Sequence, residues 1–203
     1  MKILLTGATG YIGKRILPIL VNKGYDVVCC VRDKSRFNPP QSLENKISVI
    51  EVDLLDPIGL SQIPTDIDVA YYLVHSMAIS DNYKSLEQES AINFRDRLSK
   101  TNVKQVIYLS GIVNESNLSK HLLSRKIVEE ELERGNYNLT CFRAGIIVGS
   151  GSASFEIMRD LVEKLPIMIT PKWLLTKCQP IGVSDVQTFL TKCILNEDTF
   201  NRN

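Results

Sequence analysis

Gly7, Gly10 and Gly13 stand three residues apart at the start of the chain, with Thr9, Tyr11 and Ile12 filling the same turn. That spacing bears on phosphate chemistry. A turn without Cβ atoms lets backbone N–H groups reach a ligand directly, and where it opens a helix the free N–H groups and the positive dipole end converge on an anion. The pattern is G-x-x-G-x-x-G, not the G-x-G-x-x-G of the common dinucleotide fingerprint, so context decides its meaning. An apolar strand over residues 3–5 precedes it and an apolar helical periodicity follows it, which favours a pyrophosphate cradle over a turn of no chemical role.

Further polar residues follow apolar runs. Arg32 comes directly after the run 27–31, with Asp33, Lys34 and Arg36 behind it. In dinucleotide folds an acidic residue about twenty positions beyond the glycines holds the ribose 2′-hydroxyl, and an arginine there suits the 2′-phosphate of NADP. A guanidinium grips phosphate through two parallel hydrogen bonds. Arg32 therefore favours NADP, with NAD held through Asp33 as the alternative and a solvated charged loop as the reading without function. Asp53 and Leu54 follow the run 47–52, Asp53 as an adenine contact or as the cap of the next turn. Leu73 closes an apolar run that delivers His75, Ser76 and Met77 to the same edge. Ser110 and Gly111 end another run. Ala144 and Gly145, small residues after a further one, permit close backbone approach to a ring such as nicotinamide.

These positions require parallel strands that end on one edge. Continuous apolar runs, buried on both faces, mark such strands. They are expected at 3–5, 27–31, 47–52, 68–74, 103–109 and 139–143. Helices are expected from residue 11 to the Lys23-Gly24 stop, with Ile12, Ile16, Ile19 and Leu20 on one face, and at 83–100, 120–134, 155–164 and 186–195. Pro18 removes one helical hydrogen bond and predicts a kink or a local irregularity. Glu129, Glu130 and Glu131 read as a solvated face, and Ser184-Asp185 as the cap of the last helix. Residues 167–175, which hold the sole tryptophan, Trp173, read as extended or irregular. The fold expected is α/β: a doubly wound, largely parallel Rossmann sheet flanked by helices, in a single domain over residues 1–203.

Composition narrows the partners. With 203 residues, 44% of them hydrophobic, the chain can bury one sizeable core. Twenty-four basic residues balance 23 acidic ones, so no single-sign field for nucleic acid or an anionic membrane is expected. Cys29, Cys30, Cys141, Cys178 and Cys193 show no metal spacing and read as buried thiols in a reducing, cytoplasmic setting. No apolar run approaches the length of a membrane span. The partner expected is a small molecule, with homo-oligomerisation left open.

Taken together, the ordered pieces resemble the short-chain dehydrogenase/reductase superfamily in its extended or atypical branch. They are Thr-Gly-Ala-Thr-Gly-Tyr-Ile-Gly at 6–13, Val-Arg-Asp at 31–33, Asp53-Leu54, Tyr-Leu-Ser-Gly at 108–111, Arg-Ala-Gly at 143–145 and Ser-Asp-Val at 184–186. Within that superfamily, Tyr-Tyr-Leu-Val-His-Ser-Met at 71–77 and the Gly/Ser-rich stretch 149–156 are similar to bacterial NAD(P)H-binding proteins often labelled nucleoside-diphosphate-sugar epimerases. Many of those continue into a further C-terminal domain, whereas this chain stops just after the last helix expected.

The resemblance implies a serine that polarises the substrate carbonyl, which Ser110 matches, and a tyrosine acid/base with a lysine four residues later. Those two positions fall on His121 and Arg125. A one-residue shift in register would put Leu122 and Lys126 there and leave no acid. Residues four apart share a helix face, a histidine titrates near neutrality, and Arg125 can bind cofactor ribose or a substrate anion. Three functions follow: an NADPH-dependent oxidoreductase on a small carbonyl, enoyl or quinone-like substrate; a non-catalytic NADP(H)-binding redox sensor; and a nucleotide-sugar epimerase. The last is disfavoured by the absent tyrosine–lysine pair and the short region after Arg143.

Overall fold

The computed structural model describes residues 1–75, 83–113, 119–165 and 177–202. Six parallel strands form one sheet: β1 Lys2–Thr6, β2 Asp26–Val31, β3 Ile47–Glu51, β4 Val69–Tyr72, β5 Gln105–Gly111 and β6 Asn138–Ala144, in the order β3-β2-β1-β4-β5-β6. Parallel pairing needs a crossover between neighbours, and helices α1 Tyr11–Asn22, α2 Tyr83–Leu98 and α3 Lys120–Glu133 supply it at three of the connections. The order reverses between β1 and β4, which makes that crevice the topological switch point. A separate parallel pair, β7 Ile147–Val148 with β8 Ile181–Gly182, lies beyond β6 in sequence, together with α4 Ala153–Lys164 and α5 Val183–Lys192.

Alternating side chains divide the sheet's burial between two faces. On one face Leu4, Val28, Ala70, Tyr72, Val106 and Tyr108 pack with Phe94 and Leu98 of α2 and Val128 and Leu132 of α3. On the other, Ile3, Leu5, Val27, Tyr71 and Ile107 meet α1 and α5. The Tyr71 hydroxyl donates to the Leu190 carbonyl at 2.6 Å, tying β4 to α5. Tyr72 lies edge-on to Phe94 at 5.1 Å and to Tyr108 at 5.8 Å, the arrangement that aromatic quadrupoles favour. The β6 edge is covered: Cys141 N donates to the Arg202 carbonyl at 3.0 Å, and Asn201 N donates to the Leu139 carbonyl at 2.6 Å. A covered edge offers no row of free backbone groups to another chain.

Four local expectations are corrected. Helix α1 includes Pro18, and its buried stripe takes Leu17 and Val21 while Ile19, expected on that face, is only half-buried. Glu129 and Glu131 are buried; only Glu130 is exposed. Each buried carboxylate is paired, Glu129 with Arg143 at 2.7 Å, and Glu131 with Arg95 at 2.8 Å and Arg134 at 2.9 Å. Burial of a charge requires such partners. Cys178 is exposed, unlike the other four thiols. Helix α5 starts at Val183, so Ser184 and Asp185 lie inside its first turn and Gly182 stands at the cap. Trp173 and residues 167–175 lie outside the described residues.

Phe94 is fully buried between α2 and the sheet. Phe94→Ala is expected to lower the unfolding free energy by about 3–5 kcal/mol, from lost transfer energy plus a cavity. Urea denaturation reads this directly, and a loss below about 1 kcal/mol would show that the ring does not hold that layer.

Candidate functional site

Because all six strands are parallel, their carboxyl ends share one edge, and the residues beyond them line up across it. In spatial order these are Asp53 after β3, Arg32 after β2, Gly7 after β1, Leu73 and His75 after β4, Ser110 at the end of β5 and Ala144 at the end of β6. Five interstrand spacings carry that row across about 24 Å.

At its centre the glycines are needed by close packing. Gly7 has φ of 69°, a region that L side chains rarely adopt, and a Cβ there would stand 2.4 Å from the Leu73 carbonyl oxygen. A Cβ on Gly13 would stand 2.2 Å from the Gly7 carbonyl oxygen, so α1 presses against the turn. Gly10 caps α1 in extended conformation with no side-chain hydrogen bond, and the helix has no acidic residue in its first turn. The amides of Tyr11, Ile12 and Gly13 therefore start α1 without a side-chain acceptor, which is what an anion requires. Thr9 and Gly10 are exposed beside them. The Leu73 amide donates to Thr6 Oγ1 at 3.3 Å and holds β4 beside this turn.

On the β2–β3 side Arg32 is exposed and makes no ion pair or hydrogen bond among the described residues. Asp33 is engaged: its Oδ1 accepts from Ser35 N at 2.9 Å and Ser35 Oγ at 2.6 Å, capping the short turn Lys34–Arg36. Those bonds hold the Asp33 carboxyl below the usual range. Asp53 likewise accepts from Leu55 N at 3.0 Å, so the capping role exists there, while Leu54 is buried in the core and its carbonyl accepts from Asn93 Nδ2.

On the β4–β6 side the edge deepens into a cavity of about 720 Å³. Tyr11 and Ile12 of α1, His75, Ser110, His121, Arg125, Ala144 and Gly145 all line it. His121, Leu122 and Arg125 all line the cavity, His121 being exposed and Arg125 half-buried, while Lys126 is exposed, stands 3.9 Å from Glu130 and does not line it. Gly7, Thr9, Gly10, Gly13, Arg32, Asp53, Leu54 and Leu73 do not line this cavity. Ser76 and Met77 lie outside the described residues. The smallness of Gly145 meets the chain itself, since a Cβ there would stand 2.2 Å from the Gln179 carbonyl oxygen.

Sequence reading missed Ile112, Ser152, Lys177, Cys178 and Gln179, which also line the cavity. Residues 177–179 come from a stretch without periodicity, so only the Gly145 contact brings them in. It also missed the clamp in which Arg15 stacks 3.9 Å over the Tyr11 ring and both residues donate to the Ser150 carbonyl, at 2.5 Å and 3.2 Å. The four-residue spacing of Tyr11 and Arg15 was its signal.

Ser110 Oγ is buried in the cavity wall near the Tyr108 hydroxyl, and makes no well-formed hydrogen bond among the described residues. A buried hydroxyl left so is costly unless a ligand satisfies it. Arg125 Nε donates to His121 Nε2 at 3.3 Å, which assigns the imidazole proton to Nδ1. Burial and the Arg125 charge lower the His121 pKa, with Glu87 opposing. Burial, then Arg125 and His121, push His75 down to about 3, against a hydrogen bond to the Leu109 backbone. Burial raises the Tyr108 phenol, whose hydroxyl donates to the Arg125 carbonyl at 3.3 Å. The cavity thus presents neutral imidazoles, a free hydroxyl and a guanidinium.

The profile of a family described as NAD(P)H-binding matches residues 7–145, from the first glycine to the cavity wall. The chain belongs to that family. It is similar to the chloroplastic divinyl chlorophyllide a 8-vinyl-reductase of Cucumis sativus, 24% identical over 99% of this chain and 51% of the relative. It is also similar to photosystem II assembly factor Ycf39 of Guillardia theta, 25% identical over 100% of this chain and 63% of the relative. The chain therefore spans between half and two thirds of the length of these two family relatives. Its fold is shared with a UDP-glucuronic acid 4-epimerase mutant of Bacillus cereus solved with NAD and a fluorinated UDP-sugar, at a TM-score of 0.75, 20% identity and coverage of 100% and 76% of the two chains. The glycine cradle and the unpartnered Ser110 fit the nicotinamide cofactor that the family binds.

Among the described residues no helix is long and apolar enough to cross a membrane.

His75 gives the site a pH signature. Its folded pKa, about 3, lies below the ordinary 6.5, so the unfolded chain binds the extra proton between those values. Stability is then full above pH 6.5 and falls as the solution is acidified toward pH 3, by up to about 1.4 kcal/mol per unit. Urea melts between pH 7 and 5 are expected to show this slope, flattened in His75→Gln. An unchanged slope in that variant would place the titrating group elsewhere.

Proposed function

We propose that the protein is an NADPH-dependent oxidoreductase acting on a small carbonyl, enoyl or quinone-like substrate. The observation that carries this reading is the unpartnered Ser110 hydroxyl in a cavity whose other wall, Tyr11 and Ile12, is the first turn of the nucleotide-binding helix. Gly7, Gly10 and Gly13, with Thr9, Tyr11 and Ile12, would hold the diphosphate, and Arg32 the 2′-phosphate. Asp33, which an NAD-binding reading needs, is already the cap of its own turn. Leu73, His75, Ala144 and Gly145 would flank the nicotinamide half, and Asp53 and Leu54 the adenine half.

Bound NADPH supplies a hydride from C4 of its nicotinamide. Ser110 Oγ–H would donate to the substrate oxygen that gains charge, a preorganised contact of the kind that stabilises oxyanions. His121 is held neutral, so its contribution would be a hydrogen bond from Nδ1–H, and the proton that balances the hydride would come from solvent water. Arg125 supplies positive charge beside it. A relative named for vinyl reduction supports the enoyl class among the three.

A second reading, a sensor that binds NADP(H) without turning it over, is supported by the lowered pKa values of both cavity histidines and by a relative named as an assembly factor. Epimerisation gains support from fold likeness alone, at 20% identity.

Titration calorimetry is expected to give tighter binding of NADPH than of NADH, and Arg32→Ala to shrink the NADPH advantage by about tenfold, as for loss of one charge-assisted contact. Equal affinities in the unmutated protein would remove the Arg32 assignment. NADPH oxidation with a panel of enones, aldehydes and quinones is expected to fall by at least about 10² in Ser110→Ala, the scale of one lost oxyanion donor, and to fall in His121→Ala as well. No turnover with any acceptor would favour the sensor.

A further inference from the structure

The protein's partly buried arginines are nearly all spoken for. Arg95 has Asp96 and Glu131, Arg143 has Glu129, and Arg97 donates to the Ser61 and Ile63 carbonyls. Arg125 is the contrast. It is half-buried in the cavity wall, its side chain donates to a neutral imidazole, and no carboxylate among the described residues pairs with it. No aspartate or glutamate lines the cavity among those residues, while Lys177 adds a second cation at its exposed rim. The remaining walls are largely apolar, with Ile112, Leu122, Ile146 and Ile147.

A guanidinium in such surroundings attracts an oxyanion strongly, because low local dielectric magnifies the charge and the fork matches two oxygens. The cofactor's own diphosphate is poorly placed to fill this role. Its cradle follows β1, and Arg125 stands beside Gly111 at the end of β5, where a Cβ on Gly111 would lie 3.4 Å from Arg125 Cδ. Strands β1 and β5 are separated by β4, about 10 Å from one another.

We propose that the cavity binds an apolar molecule bearing an oxyanion head, carboxylate or phosphate, with Arg125 as its anchor and the unpartnered Ser110 hydroxyl facing its reactive portion. The proposal rests on the reading of this cavity as the substrate end of the nucleotide crevice, and it narrows the substrate class to anionic carbonyl or enoyl compounds.

The test is titration calorimetry of the full chain, with and without NADPH, using 2-naphthoate, 2-naphthyl phosphate and neutral 2-naphthamide as probes. One or both anions are expected to bind at least about tenfold more tightly than the amide, the ratio expected for a charge-assisted pair. The stronger of the two identifies the head group. Arg125→Gln is expected to abolish the preference and Arg125→Lys to keep part of it, whereas Lys100→Gln, the same charge change on an exposed residue after α2, leaves it intact. Equal affinities for all three probes in the unmutated protein, which needs no variant to fold, would overturn the proposal. So would an anion preference that survives in Arg125→Gln while NADPH affinity falls, which would assign Arg125 to the cofactor ribose. Failure of NADPH to bind, with the anion preference present, would overturn the nucleotide reading and leave the anion site standing.

Discussion

The closest constraint in the molecule is the meeting of three backbones at Gly7. The Leu73 carbonyl lies where a Cβ on Gly7 would be, and the Gly7 carbonyl lies where a Cβ on Gly13 would be. Strand β4, the turn after β1 and the first turn of α1 are therefore in mutual contact with no side chain between them. Three consequences follow from that one packing. The helix starts close to the sheet edge, its first amides face the switch-point crevice, and the wall formed by Tyr11 and Ile12 becomes part of the neighbouring cavity. A methyl group at either glycine would push α1 away, and the crevice and cavity would no longer be continuous.

Charge is distributed by the same economy of space. The chain is nearly neutral, at +1, yet the crevice edge is not. The buried glutamates of α3 are consumed by Arg95, Arg134 and Arg143, and Asp33 and Asp53 accept from the amides of their own turns. Arg32, after β2, and Arg125, beside the end of β5, have no carboxylate partner among the described residues. Two guanidiniums free of carboxylates thus lie along the edge where ligands of parallel sheets bind. Burial first, and then the guanidinium that gives the cavity its charge, lower the pKa values of both cavity histidines, so attraction for an anion and supply of a proton oppose one another in this site.

Membership of the NAD(P)H-binding family bears on cofactor binding and leaves the chemistry of the cavity a separate matter. Binding of the nucleotide depends on backbone geometry around the glycines. Any reaction of the kind proposed would depend on side chains at and beyond the end of β5. The first is compatible with many chemistries, which is why a fold shared with a sugar-nucleotide epimerase says little about the acceptor.

Much of this was legible in the chain alone. The six strands are continuous apolar runs because a parallel sheet buries both faces, and such runs announce themselves without knowledge of neighbours. Glycine spacing, Arg32 after a run and Ser110 at the end of another are likewise local facts, and parallel topology then forces them onto one edge. What local pattern did not determine is pairing. Glu129 and Glu131 read as a solvated face because charge predicts exposure, until arginines from other elements reach them. Ile19 and Leu17 differ in burial through the direction from which β1 and α5 approach. Residues 177–179 enter the cavity only because Gly145 lets a distant carbonyl come close. Sequence determines which segments must be buried and which turns must be bare; which charge meets which partner is decided by contacts between residues far apart in the chain, and those exist only once the sheet has formed.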